Sequence, residues 1–162
     1  MDNVNFEKAI LTEEDFEDMN WHDCNIHAIS FGINYELSFD IDYIFKWIEP
    51  RAETKNYEFL VAPCTLIFEN VHELKLDLEI AEPFKLEIES IIKHNPQRPI
   101  NVDYIKSEVE YRWKIEAQQG NITFISVGYK QFVRQNPRVS NSQSFNLIER
   151  GGISFGKLIS KL

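Results

Sequence analysis

The chain has 162 residues with 17 basic and 26 acidic side chains, which gives a net charge of −9. Hydrophobic residues make up 43% of it and aromatic residues 13%, a composition that excludes an intrinsically disordered chain. The length fits one domain, residues 1–162, and no apolar run approaches the roughly 18 residues of a membrane helix, so no membrane contact is expected. The acidic N-terminus lacks the features of a secretory signal, which predicts a cytoplasmic protein. Cys24 and Cys64 lack metal-type spacing, and no cofactor is expected.

The first predicted element is a short helix over residues 12–19. Thr12 can cap it, and Glu13, Glu14 and Asp15 place negative charge in the first turn, where the helix dipole favours it. From residue 23 onwards the pattern changes, because apolar and polar residues alternate with a period of two. That period is typical of strands with one buried face.

The clearest alternation lies in residues 35–46 and follows a similar strand over residues 27–33. A three-residue loop over residues 32–34 would place Phe31 opposite Tyr35. In this register Asp42 stands opposite Cys24 and Asp40 opposite Ile26, on the face turned away from the Phe-rich core. Both aspartates are therefore expected on a face open to solvent.

Further alternating segments predict more strands along the chain. Pro63 suggests a bulge or an edge position, because proline cannot donate to a strand ladder. Residues 90–94 could form a helical turn, a hairpin turns at residues 118–121 into one strand over residues 122–132, and residues 145–148 form a last strand. Six side chains are expected to face a common core: Leu74, Leu76, Leu78, Val109, Tyr111 and Trp113.

The predicted fold is mainly β. The strands follow one another at short intervals, and no long helical pattern separates them as a parallel sheet would require. We therefore predict a single antiparallel sandwich or partly open barrel with a short N-terminal helix.

Charge is unevenly distributed between the two parts of the chain. Residues 1–92 contain 21 acidic and 6 basic side chains, a net charge of −15, whereas residues 93–162 carry a net charge of +6. Strands from the two parts could pair so that their charges complement each other, or a bipolar surface could dock a charged partner. We expect the charges to meet within the fold, with Arg150 among them. Residues 129–134 mix bases with aromatic rings, but the acidic balance of the chain argues against nucleic acid binding.

One cluster of side chains could hold a metal ion or act in catalysis. The first hairpin would bring His22 and Asp23 close to Asp40 and Asp42, and these carboxylates with one imidazole are a ligand set suited to a divalent ion. Rings beside them could wall a ligand pocket. These rings are Trp21, Tyr43 and Trp47. The alternative is a solvated strand face without a ligand.

A second unusual segment is Arg150 followed by Gly151 and Gly152. Successive glycine amides could form an anion nest beside Arg150, which makes Arg150 a candidate ligand-binding residue. The alternative is a bend that pairs Arg150 with a carboxylate of the acidic part. No phosphate-binding loop, nucleophile elbow or zinc-protease motif is present, and His22 two positions before Cys24 does not establish a catalytic pair.

Several strings resemble a family of small bacterial proteins to which no activity is attached. They are Trp21-His22-Asp23, residues 39–44 with Trp47, residues 61–68, residues 128–131 and residues 149–155. The resemblance spans most of the chain from Trp21 to Phe155 and implies no catalytic residue. The aromatic-His-Asp opening of this acidic, β-rich chain is also similar to bacterial immunity proteins that neutralise toxins, which implies a binding role.

Two functions of different classes follow from the sequence. The favoured one is a non-enzymatic binding or interaction protein whose acidic surface meets a protein partner with a basic surface, with toxin neutralisation as one version. The alternative is a small metal-dependent enzyme or a ligand-binding β-barrel that uses His22, Asp23, Asp40 and Asp42. The sequence makes no prediction of the oligomeric state.

Overall fold

The structure is a computed structural model that describes residues 8–157. Its described part forms ten strands, a 3-10 helix (Glu13–Asp18) and a one-turn helix α1 (Leu147–Arg150). The strands are β1 (Ile10–Thr12), β2 (Asn25–Phe31), β3 (Leu37–Ile48), β4 (Glu58–Glu69), β5 (His72–Leu78), β6 (Leu86–Gln97), β7 (Glu110–Ala117), β8 (Gly120–Ser126), β9 (Gly128–Val133) and β10 (Arg138–Ser140). Their pairings are antiparallel, which confirms the predicted fold class.

The ten strands form one open sheet that folds back on itself. Its order is β1-β9-β4-β3-β2-β6-β7-β8-β5, with β10 paired to β4. Only two residue pairs join β2 to β6, so the sheet is divided at this point into two halves that face each other. Phe68 of β4 packs its ring centroid 5.1 Å from that of Trp113 on β7 and 4.6 Å from that of Phe124 on β8. The core therefore lies between the two halves.

The 3-10 helix covers part of this core. Thr12 is the residue before its first turn, as the sequence predicts, and Thr12 N donates to the Asp15 carboxylate at 2.9 Å. The Phe16 ring packs 5.7 Å from that of Trp113. Four of the six predicted core residues are buried in the core or packed against it, namely Leu74, Leu78, Tyr111 and Trp113. The prediction is wrong for Leu76 and Val109, which are exposed. Leu76 lies on the edge strand β5, and Val109 lies in the loop before β7.

The first hairpin has a longer loop than predicted. Phe31 pairs with Leu37, so the loop covers residues 32–36, and Gly32 N donates to Glu36 O at 2.8 Å. Tyr35, in the left-handed region at φ 59°, helps the loop to turn. This register, with a bulge between Ile26 and Ala28, places Asp40 opposite Ala28 and Asp42 opposite Asn25.

Tertiary contacts override three local patterns. The helical turn predicted at residues 90–94 lies within β6, where Ile91 pairs with Ile115 of β7. The strand predicted at residues 145–148 is replaced by α1, which Asn146 and Glu149 cap reciprocally. The strand predicted over residues 122–132 is divided between β8 and β9, which belong to opposite halves of the sheet.

Pro63 lies inside the sheet rather than at an edge or a bulge. Asp42 of β3 pairs with it on one side, and on the other side its carbonyl accepts from Arg134 N at 3.0 Å. On that second side the neighbour of β4 changes from β9 to β10. In a strand the amide nitrogen and the carbonyl of one residue face the same side. The missing amide proton of Pro63 therefore faces the point where the neighbour of β4 changes from β9 to β10.

Candidate functional site

Asp40 is buried in a network of charged side chains. Its carboxylate accepts from Arg150 Nη1 and Nη2 at 2.7 and 2.6 Å and from Arg134 Nη2 at 2.7 Å. Both Asp40 and Arg150 are fully buried. A two-oxygen contact with a guanidinium is the strongest geometry for such a pair.

Asp42 belongs to the same network. Arg150 Nε donates to its carboxylate at 3.1 Å, His27 Nε2 lies 2.7 Å from it, and the backbone amide of Phe145 donates at 2.8 Å. Arg134 in turn donates to Thr65 Oγ1 at 2.7 Å. The two aspartates therefore hold residues 145–157, which we call the strap, against the outer face of β3 and β4.

The strap explains why the predicted solvent exposure of Asp40 and Asp42 is wrong. The predicted face is right, because both side chains point away from the Phe-rich core, but the strap covers that face. The predicted meeting of opposite charges is confirmed, with Arg150 as its buried centre. The glycine amides form no anion nest, since Gly151 N donates to Ile148 O and Gly152 N to Leu147 O at the end of α1.

The network predicts a loss of stability in acid. Burial alone would raise the pKa of Asp40, but hydrogen bonds from Arg150, Arg134 and Ser154 N outweigh it, so the pKa lies below its ordinary value. A carboxyl whose pKa is lower in the folded state stabilises above the unfolded value, about 3.9, and this contribution is lost as pH falls through the folded value. Denaturation at pH 7, 5, 4 and 3 should show that Asp40→Asn costs most stability at neutral pH and progressively less below pH 4.

The matched control for this prediction is Asp77→Asn, which removes an exposed carboxylate from β5. The control should retain the acid-induced loss of stability seen in the unaltered chain. A constant difference between Asp40→Asn and the unaltered chain from pH 7 to pH 3 would contradict the prediction.

The other predicted site residues do not gather around one point. His22 Nε2 lies 3.6 Å from Asp23 Oδ1, and the His22 ring stacks on Trp47 with centroids 6.4 Å apart. Trp21 and Tyr43 are buried, with Trp21 Nε1 donating to Gln131 Oε1 and Tyr43 Oη accepting from Asn20 N. The predicted ligand pocket therefore has two of its walls inside the core.

Metal and thiol chemistry gain no support from the geometry. Within residues 8–157 no group of three or more His, Cys, Asp or Glu side chains is arranged to hold a metal ion. His22 and Asp23 pair with each other, whereas Asp40 and Asp42 are occupied by Arg134, Arg150 and His27. Burial raises the pKa of the Cys24 thiol to about 12 and also raises that of Cys64, which disfavours the nucleophilic thiolate.

Three strongly exposed apolar side chains of the 32–36 and 98–109 loops lie around one part of the surface. The exposed fractions are 73% for Tyr35, 95% for Ile100 and 91% for Tyr104. These residues border two adjoining cavities of about 300 and 730 Å³, which share Tyr35, Asn70 and Asn101 in their walls. We call these cavities together the loop cleft.

A buried carboxylate reaches this cleft through a histidine. Glu110, at the start of β7, is fully buried, and its Oε2 lies 3.0 Å from Nε2 of His72, a residue in the cleft wall. Gln97 Nε2 donates to the other oxygen of Glu110 at 2.8 Å. The sequence analysis missed this pair, because neither residue has a motif and they lie 38 positions apart. Alternation gives no signal either, because Glu110 has the same parity as the polar Arg112 and Lys114 of β7.

Comparison with known proteins gave no match among family models, curated proteins or solved structures. Within the part of the chain that the structure describes, no helix is long and apolar enough to cross a membrane.

Proposed function

We propose that this chain is a non-enzymatic binding protein that holds a basic protein partner through the loop cleft. The main support for this proposal is that Tyr35, Ile100 and Tyr104 are exposed around one cleft. Water contact with large apolar side chains is unfavourable, and an exposed apolar group at one location is a feature of protein interfaces. Tyrosine suits such a role because its ring offers apolar area and its hydroxyl a hydrogen bond.

The position of the cleft on the fold supports the same function. Its loops connect strands of a packed sheet, so a rigid scaffold carries side chains that are free to contact a partner. The net charge of −9 favours association with a basic surface. Neutralisation of a toxin is one version of this function, and it rests on the resemblance to immunity proteins. The enzymatic alternative lacks a convergent set of reactive groups among His22, Asp23, Asp40 and Asp42.

A photo-crosslinking experiment tests the function. A benzophenone amino acid is placed at Ile100 or Tyr104 and, as controls, at the exposed Phe84 and Ile148 on other parts of the surface. In lysate of the source organism, the cleft positions should crosslink one protein that the control positions do not. That protein, once purified, should bind the unaltered chain and bind a Tyr104→Ser, Ile100→Ser variant at least tenfold more weakly, a loss typical of interface anchors.

The same experiment can reject the function. Equal crosslinking at the cleft and control positions would remove the argument for the cleft. An unchanged dissociation constant for the double variant, with Ile148→Ser as the matched control, would place the interface elsewhere on the molecule.

A further inference from the structure

The buried carboxyl group of Glu110 lies beneath the wall of the loop cleft, behind His72. Within residues 8–157, the only basic side chain within 4.0 Å of the Glu110 carboxylate is His72. A fully buried carboxylate without lysine or arginine is unfavourable, since its lost hydration is not balanced by a fixed positive charge. A positive group bound in the cleft would supply part of that balance.

His72 can transmit this preference to a ligand. His72 Nε2 lies 3.0 Å from Glu110 Oε2. In the tautomer whose Nε2 donates to that oxygen, Nδ1 of the neutral ring presents a lone pair towards a ligand. The side chain is 38% exposed and lines the 300 Å³ cavity. Hydrogen bonding to a carboxylate makes the imidazole a better acceptor, so this wall is suited to a hydrogen-bond donor.

Other groups of the cleft are also suited to a cation or a hydrogen-bond donor. Tyr35 and Tyr104 supply aromatic rings, which attract cations over their faces. Asn101 Nδ2 donates to Asn70 Oδ1 at 3.4 Å, which leaves Asn101 Oδ1 to accept from a ligand.

The basic side chains near the cleft do not turn its preference for a cation into a preference for an anion. Three of them already contact carboxylates of the acidic part, namely Lys130 with Glu69, Lys157 with Glu36, and Arg112 with Glu73. Lys106 is a further base, and it lines the larger cavity together with Tyr104. It does not line the smaller cavity, where His72 and Tyr35 lie.

We propose that the loop cleft binds an arginine side chain of the protein partner, with His72 as the acceptor and the ring of Tyr35, which lines both cavities, against the guanidinium. This proposal rests on the proposed function and names the chemistry that the partner must present. Arginine fits better than lysine because a planar guanidinium can stack on a ring while it donates several hydrogen bonds.

A titration of the full chain followed by NMR tests the proposal. The probe is N-acetyl-arginine methylamide, and the matched probes are the citrulline and glutamate derivatives, of which citrulline keeps the shape and lacks the charge. The arginine probe should shift the resonances of His72 and Asn101 in a saturable manner, and citrulline should bind at least tenfold more weakly. Equal binding of citrulline, tighter binding of glutamate, or shifts outside the loop cleft would overturn the proposal.

Variants assign the effect to His72 and Glu110. His72→Leu should weaken arginine binding at least tenfold, and Glu110→Gln should weaken it while keeping the shape of the side chain. His94→Leu, which removes an exposed histidine from β6, is the matched control and should leave arginine binding unchanged. Unchanged binding by His72→Leu would overturn the proposal even if Glu110→Gln fails to fold.

The two proposals can fail separately. Crosslinking of a partner at Tyr104 without any preference for arginine would reject the arginine site and keep the binding function. Arginine binding without a crosslinked partner would keep the site and reject a protein partner as its occupant.

Discussion

Replacing Arg150 by methionine should lower the free energy of unfolding by about 3–5 kcal/mol, the usual cost of removing one partner from a buried ion pair. Arg150 makes two contacts with Asp40 and one with Asp42, and all three side chains are fully buried. Methionine would fill part of the space but leave buried negative charge without its main partner. Urea denaturation at pH 7, followed by tryptophan fluorescence, measures the change.

The control is Arg112→Met, which removes an arginine from an exposed pair with Glu73. Exposed pairs contribute less than about 1 kcal/mol, because water and salt screen them. The strap should also become sensitive to proteinase K in the Arg150 variant and stay protected in the control. A loss below about 1 kcal/mol for Arg150→Met would show that the strap is held by other contacts.

The network also bears on where function can reside. Asp40 and Asp42 look like site residues in the sequence because two carboxylates on one strand face suit metal binding. In the structure their oxygens are occupied by guanidinium, imidazole and backbone donors, so they serve to fasten the strap. Tyr35 and His72, by contrast, line the loop cleft and are open to a ligand.

Local alternation was sufficient to predict the fold class and much of the core, including the buried position of Trp113 and the outward direction of Asp40. It could not predict the cover over that face, because Arg150 lies 110 positions from Asp40 and alternation carries no information about a third layer. The same limit applies to residues 90–94, where pairing of Ile91 with Ile115 decides the strand. The helix α1 could have been predicted, since Asn146 and Glu149 have capping-box spacing in the sequence.

The loop cleft lay outside sequence reasoning for a different physical reason. Period-two patterns assign inward and outward faces to strands, but Tyr35, Ile100 and Tyr104 lie in loops, where no period applies. Their joint exposure depends on how the 98–109 loop lies across the end of the sheet beside His72. Only the folded chain brings these groups together.

Replacing Trp113 by alanine should lower the free energy of unfolding by about 3–5 kcal/mol, the usual loss for a large buried ring. Trp113 is fully buried where the two halves of the sheet meet, and its ring packs 5.1 Å from Phe68, 5.7 Å from Phe16 and 5.9 Å from Tyr129. Its Nε1 donates to Ser126 O at 3.1 Å, so the variant would lose that bond as well as leave a cavity.

The control for this prediction is Trp47→Ala, which removes the same side chain from a partly exposed position beside Phe59 and Tyr57. Its loss should be less than half that of Trp113→Ala, because much of the Trp47 ring is hydrated in the folded chain and leaves a smaller cavity. Denaturation followed by circular dichroism compares the two variants without relying on tryptophan emission. Equal losses, or a change below about 1 kcal/mol for Trp113→Ala, would mean that the two halves of the sheet do not pack on each other through this ring.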